Sequence, residues 1–229
     1  GKAVNFASKK VKTKYFFVMN PDAKIYQKTL SNLIQAAKKI NRFGAIGPIY
    51  VHQKKDYKKN SVVERKEIIA AAMLIDTKIF KKIKGYDKNI FLYYEDNDYF
   101  AKCNSLNLKL YYITNSFITH KMVKQMKKNS LNLHSTTFSN SAEKNSTYLI
   151  GGWHGQWSKF YFLRKYRGFL IALLICLPNF LLNLLQIIPY IFFDLSKAKY
   201  KYFKIEGFLC SLIGMPSFKR SKFDKKYLY

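Results

Sequence analysis

Tyr15-Phe16-Phe17-Val18-Met19-Asn20-Pro21-Asp22 is the stretch on which the reading of this chain turns. Five apolar residues follow one another without a polar break and stop at Asn-Pro-Asp. A run of that length with no alternation predicts a strand covered on both faces, as in a parallel or mixed sheet. The neighbouring segments fit such a sheet. Leu30, Leu33, Ile34, Ala37 and Ile40 recur at helical spacing and predict a helix over 26–40. Gly44 to Ile49 reads as a short strand entering a turn, 68–75 as another strand and 109–113 as a further one. Residues 78–83 read as a short helix ended by Gly85, and 93–106 as a longer one. Strands alternating with helices predict α/β architecture, a mixed sheet flanked by helices.

The whole chain has 229 residues, enough for one sizeable domain with an appendage. Its 17% aromatic content excludes disorder throughout. Lys and Arg number 41 against 13 Asp and Glu, a formal charge of +28. That balance implies anionic partners, or else the Lys-rich codon bias of an AT-rich genome. The positive charge is dispersed along the chain and no DNA- or RNA-binding motif accompanies it, so a nucleic-acid-binding module is the weaker reading and no nucleic acid is expected as partner. Cys103, Cys176 and Cys210 lie far apart, with neither a disulfide framework nor a zinc spacing, and fit a reducing compartment. Texture divides the chain into residues 1–126, a Ser-, Asn- and Thr-rich linker over 127–150, and an apolar, basic-flanked tail over 151–229.

In a chain so poor in acids the position of each carboxylate carries information. Asp22 follows a covered strand, and ligands of open α/β sheets bind at that end. A carboxylate there can hold a divalent cation and leave positions open for phosphate, or Asn20-Pro21-Asp22 can simply make a turn and cap the next helix. Asp87, Glu95, Asp96 and Asp98 gather within a short span. Three carboxylates in Glu95-Asp96-Asn97-Asp98 repel one another, and their position after Phe91-Leu92-Tyr93-Tyr94 suits a general base with a raised pKa; a helix N-terminus would equally stabilise them. His120, after the strand-like 115–119, is a candidate ligand or an ordinary core histidine.

The order of these motifs resembles one family. Tyr-Phe-Phe-Val-Met-Asn-Pro-Asp (15–22), Gly-Pro (47–48), Ala-Ala-Ala-Met-Leu-Ile (70–75), Gly-Tyr-Asp-Lys-Asn-Ile-Phe-Leu-Tyr-Tyr-Glu-Asp-Asn-Asp (85–98) and a late histidine are similar to family 2 glycosyltransferases of the GT-A fold, in the rhamnosyltransferase-like branch. The resemblance covers about residues 1–125. It implies that Asp22 binds Mg²⁺ or Mn²⁺, with Asn20 in the place of the first carboxylate of a DxD-like motif, and that His120 approaches the metal or the donor diphosphate. It implies Asp96 as the general base of an inverting transfer, supported by Glu95 and Asp98. Gly1-Lys2-Ala3-Val4-Asn5 resembles the segment that follows the family's nucleotide-binding half, which makes Asn5 a donor-side residue. That half is not in this sequence, so the resemblance implies part of a longer enzyme whose base and ribose contacts lie elsewhere. Ala70 stands where the family often has Gly, adding a methyl group beside the donor sugar. The implied partners are a nucleotide-sugar donor and a lipid-linked or cell-surface glycan acceptor. A catalytically inactive membrane-bound scaffold is the alternative.

Phe169–Phe193 holds 25 residues without a charge, long enough to cross a bilayer. Pro178 and Pro189 interrupt it, and Asn179, Asn183 and Gln186 form one polar stripe. Both flanks are basic: Lys159, Arg164, Lys165 and Arg167 before, Lys197, Lys199, Lys201 and Lys204 after. A single span carries its positive flank on one side. Symmetric flanks predict a monotopic or re-entrant segment at a membrane surface, with both ends at the cytoplasmic face of a bacterial inner membrane. A buried core helix pair is the competing reading.

Overall fold

The computed structural model describes residues 1–120 and 141–220, with the side chains of 141–145 left aside. These residues fall into two compact units, one made of 1–87 and 96–120, the other of 88–95 and 141–220.

The first unit is a mixed sheet with helices on its faces, as the alternation of segments predicts. Its elements are α1 (Lys2–Lys10), β1 (Tyr15–Met19), β2 (Ala23–Ile25), α2 (Thr29–Lys39), β3 (Ala45–Tyr50), β4 (Val62–Arg65), β5 (Ala72–Asp76), α3 (Thr77–Lys82), α4 (Glu95–Ser105) and β6 (Leu110–His120). The strand order is β1-β5-β3-β6-β2, with β4 also paired to β6. Only β3 and β6 run parallel; every other pairing is antiparallel. Two-residue periodicity splits the strands between two cores. Ile46, Leu74 and Ile113 meet Leu33 and Ala37 of α2 on one face. Ala45, Met73 and Ile75 meet Phe80, Tyr99, Phe100 and Cys103 on the other.

Three expectations change here. The run 15–19 forms β1, but at the edge of the sheet: β5 is its one partner among the described residues, Tyr15 to Val18 are half-buried and Met19 is exposed. Both faces are nevertheless covered, Tyr15 and Phe17 on one core and Phe16 and Val18 on the other, which is why the run shows no alternation. The strand expected over 109–113 continues to His120. It passes a bulge where Pro48 faces Ile113 and Ile49 faces Phe117. Thr114 fills that irregularity, accepting from the Ser61 amide at 2.7 Å and donating to the Lys58 carbonyl. The strand expected over 68–75 is confined to β5.

The second unit is helical: α5 (Ser141–Arg167), α6 (Phe169–Phe193) and α7 (Leu195–Leu212). The linker expected over 127–150 is therefore helix from Ser141 onward, and 121–140 lie outside the described residues. Ser, Asn and Thr raised the loop reading, but Tyr148, Ile150 and Trp153 turn this segment onto its neighbours and override weak propensity. The prolines do not break α6, which runs through both. Pro178 and Pro189 free the carbonyls of Leu174 and Leu185, on a helix whose neighbouring turns stay intact, and apolar helices absorb such losses. The competing core-helix reading also fails, because only 17% of the apolar window of α6 is buried.

α5 meets α7 at glycines. A Cβ on Gly207 would meet the Trp153 carbonyl, and one on Gly152 the Tyr200 ring. Phe160, Leu163, Ala172, Cys176 and Phe208 form the core where all three helices join. Phe208 packs on both Phe160 and Phe180, with ring centroids 5.3 and 4.9 Å away. All three cysteines are free and buried.

Candidate functional site

Asp22 and His120 come from segments far apart in sequence and meet at one corner of the sheet. β1 ends at Met19, and the Asn20 amide donates to the Ala71 carbonyl at 2.9 Å. The chain then turns, with the Ala23 amide donating back to the Asn20 carbonyl at 3.0 Å. β2 starts immediately and pairs with the end of β6, so that Ala23 faces His120. That register brings His120 Nε2 to 2.8 Å from Asp22 Oδ1. His120 is buried and Asp22 half-buried, while Asn20 is exposed one step along the turn. Ala23, which ends the turn, is buried in one cluster with Ala71, Ala72 and Ile118.

Tyr50, at the end of β3, belongs to the same corner. Burial pushes its phenol pKa up, and the Asp22 carboxylate pushes it further. Its ring stacks on His52, with centroids 5.3 Å apart. Sequence reasoning missed Tyr50, because a lone aromatic after a strand carries no signal until β3 and β6 are set side by side.

Oδ1 of Asp22 is engaged by His120; Oδ2 has no partner among the described residues. As a donor set the pair fits an open divalent site and not a closed cage. Mg²⁺ or Mn²⁺ is commonly held by one or two protein groups, with phosphates and water completing the shell. No cluster of three or more His, Cys, Asp or Glu suited to a metal occurs among the described residues.

The acidic segment starts α4, as its helix-start reading expects. Tyr93 and Tyr94, immediately before it, both have left-handed backbone, with φ of 63° and 65°. Such strain in bulky residues costs of order 1–2 kcal/mol each, and it sets the direction in which Glu95 leaves the chain. Glu95 Oε2 is buried and meets no hydrogen-bond donor among the described residues. The Tyr93 phenol is raised by burial and then by the Glu95 charge, so the two lie close together. Asp96 is half-buried and engaged by other groups. Asp98 is fully buried and pairs with Lys102 at 2.8 Å. Lys102 also donates to the Gly85 carbonyl, so Asp98 ties α4 to the turn after α3.

Asn5 sits on α1, and both ends of its side-chain amide are engaged by Tyr86. Nδ2 donates to the Tyr86 carbonyl and Oδ1 accepts from the Tyr86 amide, each at 2.9 Å. This two-point clamp anchors α1, and a donor contact at Asn5 would compete with it.

No protein-family model matches the chain, and no curated protein matches it.

Proposed function

We propose that this protein is a membrane-associated glycosyltransferase of the GT-A kind. It would move a sugar from a nucleoside-diphosphate donor to a hydroxyl of a lipid-linked or cell-surface glycan, with inversion at the anomeric carbon. The observation that carries the reading is the Asp22–His120 pair beside the exposed Asn20, at the end of a strand whose sequence and successors carry the motif order. Asp22 Oδ2 would hold Mg²⁺ or Mn²⁺, and His120 would fix the carboxylate or share the ion. When bound, such an ion neutralises charge on the departing diphosphate.

Asp96 is assigned as general base. It accepts the proton of the acceptor hydroxyl as that oxygen bonds to the anomeric carbon. The bond from that carbon to the donor oxygen breaks, and the nucleoside diphosphate leaves with the electron pair. Glu95 is the alternative base, favoured by its buried, unpartnered Oε2.

The helical unit supports attachment to a membrane, and the cytoplasmic face is part of the proposal. Leu170, Leu174, Leu185, Ile188 and Phe192 of α6 are exposed on a helix without a charged residue. A polyprenyl-linked acceptor cannot leave the bilayer, so an enzyme lying on that surface meets it in place.

The test is radiolabelled sugar transfer in membranes carrying the protein. Asp22→Ala should abolish Mn²⁺- or Mg²⁺-stimulated transfer. Full metal-stimulated activity in that variant would remove Asp22 from the site, and no sugar transfer by the wild type would overturn the transferase reading.

A further inference from the structure

The two edges of the sheet are built differently. Beyond β6 the sheet ends in β2, three residues with Lys24 at the centre, and in β4, whose Glu64 pairs with Lys109 at 2.8 Å. Short strands and charged side chains are the usual protection of a sheet edge. β1 ends the sheet on the other side and has no such protection: its five residues are apolar and pair with β5 in unbroken register. The Thr77 amide donates to the Lys14 carbonyl and the Asn20 amide to the Ala71 carbonyl, each at 2.9 Å. Hydrogen-bonded pairs alternate with open pairs in an antiparallel ladder. Phe16 and Val18 therefore turn their backbone groups to β5, while Tyr15, Phe17 and Met19 turn theirs outward. The Tyr15 carbonyl accepts from the Thr13 hydroxyl at 2.8 Å. The amides and carbonyls of Phe17 and Met19 meet no partner among the described residues. Phe17 is half-buried and Met19 is 43% exposed. The approach to this edge is basic, with Lys9, Lys10, Lys12 and Lys14 preceding β1. Lys10 lies over the Phe6 ring and Lys14 over the Tyr15 ring, and Lys81 of α3 donates to the Val11 carbonyl at 3.0 Å. Lys12 is exposed. Asp76, the carboxylate set opposite Tyr15, is taken as the cap of α3 through the Ile79 amide.

We propose that the free edge of β1 receives an apolar strand of another polypeptide, with acidic residues at the end that meets Lys12 and Lys14. The outward amides and carbonyls of Phe17 and Met19 select an extended backbone, because a strand offers donors and acceptors at the same two-residue spacing. Charge then selects among strands. A second copy of this chain would bring another formal +28 to the edge, and two such molecules repel, whereas an acid-flanked strand is attracted. The proposal rests on the backbone pairing of the sheet and is independent of both the transferase chemistry and the membrane-surface reading.

The experiment is hydrogen exchange, read at single amides, on the full protein in detergent micelles. Without peptide, Phe16 and Val18 should be protected while Phe17 and Met19 exchange fast, the alternation that a free edge produces. The probes are synthetic peptides of alternating Val and Thr with two Glu at one end or the other, and matched peptides with Lys in place of Glu. A saturating Glu peptide should slow exchange at Phe17 and Met19 by about tenfold or more and leave Phe16 and Val18 as they were. The Lys peptides should bind about fivefold more weakly, the scale of two exposed ion pairs, and K12E/K14E should reverse that order. Met19→Pro removes one outward N–H and leaves the ladder to β5 in place, so the peptide should no longer protect Phe17, while Met19→Ala should bind it like the wild type. The wild-type alternation tests the edge even if Met19→Pro unpairs β1. Protection of Phe17 and Met19 in the dilute free protein, or no Glu peptide that protects them, overturns the site. Protection that rises with protein concentration alone assigns the edge to a second copy and overturns the acid-flanked partner. Equal binding of Glu and Lys peptides overturns the charge assignment.

Discussion

The roles of Glu95 and Asp96 separate at single-residue resolution. Asp96→Asn keeps the shape and removes the proton acceptor, so turnover should fall by about 10²–10⁴-fold with donor binding retained. Glu95→Gln should be the milder change. If Glu95→Gln instead abolishes turnover and Asp96→Asn does not, the buried Oε2 of Glu95 is the base. His154 offers a test of stability. It is fully buried on α5; Nε2 donates to the Lys219 carbonyl and Nδ1 accepts from the Ser217 hydroxyl, so it is held neutral. Burial first, and Arg220 as well, bring its pKa down from 6.5 to about 4, against the opposing pull of the Lys219 carbonyl. Between those values the unfolded chain binds a proton that the folded one refuses. Its contribution is therefore complete above about pH 6.5 and is lost as pH falls toward 4, by roughly 3 kcal/mol at full extent. Urea unfolding followed between pH 7 and 4 should show this acid limb, and His154→Gln should flatten it. An unchanged slope would mean that His154 titrates normally.

At the scale of elements, the helix pairing of the second unit depends on backbone approach. Gly207 lets α7 lie against the Trp153 carbonyl of α5. Gly207→Ala adds a methyl group where no flexible side chain can yield, so the helices must separate. A loss of about 1–3 kcal/mol is expected, the usual cost of overpacking. It would be read as a lower midpoint in denaturant unfolding, and an unchanged midpoint would show that the pair can shift without cost. In the sheet, the corner that holds Asp22 depends on β6 reaching its far end. Thr114 filling the bulge and Thr29 donating to the Phe117 carbonyl at 2.9 Å keep β6 on course to His120.

For the molecule as a whole, the decisive question is how the helical unit meets a bilayer. α6 is about 37 Å long at the usual rise per residue, sufficient to span. Yet it packs along α7, which carries Lys197, Lys199, Lys201 and Lys204, and along α5, which ends in Arg164, Lys165 and Arg167. Taking α6 across the hydrocarbon would draw its basic neighbours in as well, at a cost of several kcal/mol. An in-plane arrangement keeps the lysines wet and buries only the exposed leucines. Cysteines placed by Arg167→Cys and Ser196→Cys, at the exposed ends of α6 and in a protein lacking the native thiols, should both react with an impermeant reagent from the same face. Labelling from opposite faces would establish a transmembrane span.

The apolar run 15–19, the helical stripe of α2 and the charge-free 169–193 were legible in the sequence, because each records in its own spacing what it must bury. The strand end that bears Asp22 and the helix start that bears Glu95 were legible for the same reason. What only the tertiary structure decided depends on neighbours. The edge position of β1, the extension of β6 past Thr114 and Asn115, the joining of Tyr50 to the Asp22–His120 corner and the clamp of Asn5 on Tyr86 all arise from pairings between distant segments. The fate of the polar stripe on α6 is the clearest case: Asn179, Asn183 and Gln186 mark a face in the sequence, but only the packing of α7 shows that Lys201 meets it at Gln186. A spacing records that a face differs from the rest of its helix; which groups meet that face is set by the register of another helix, and no local pattern encodes it.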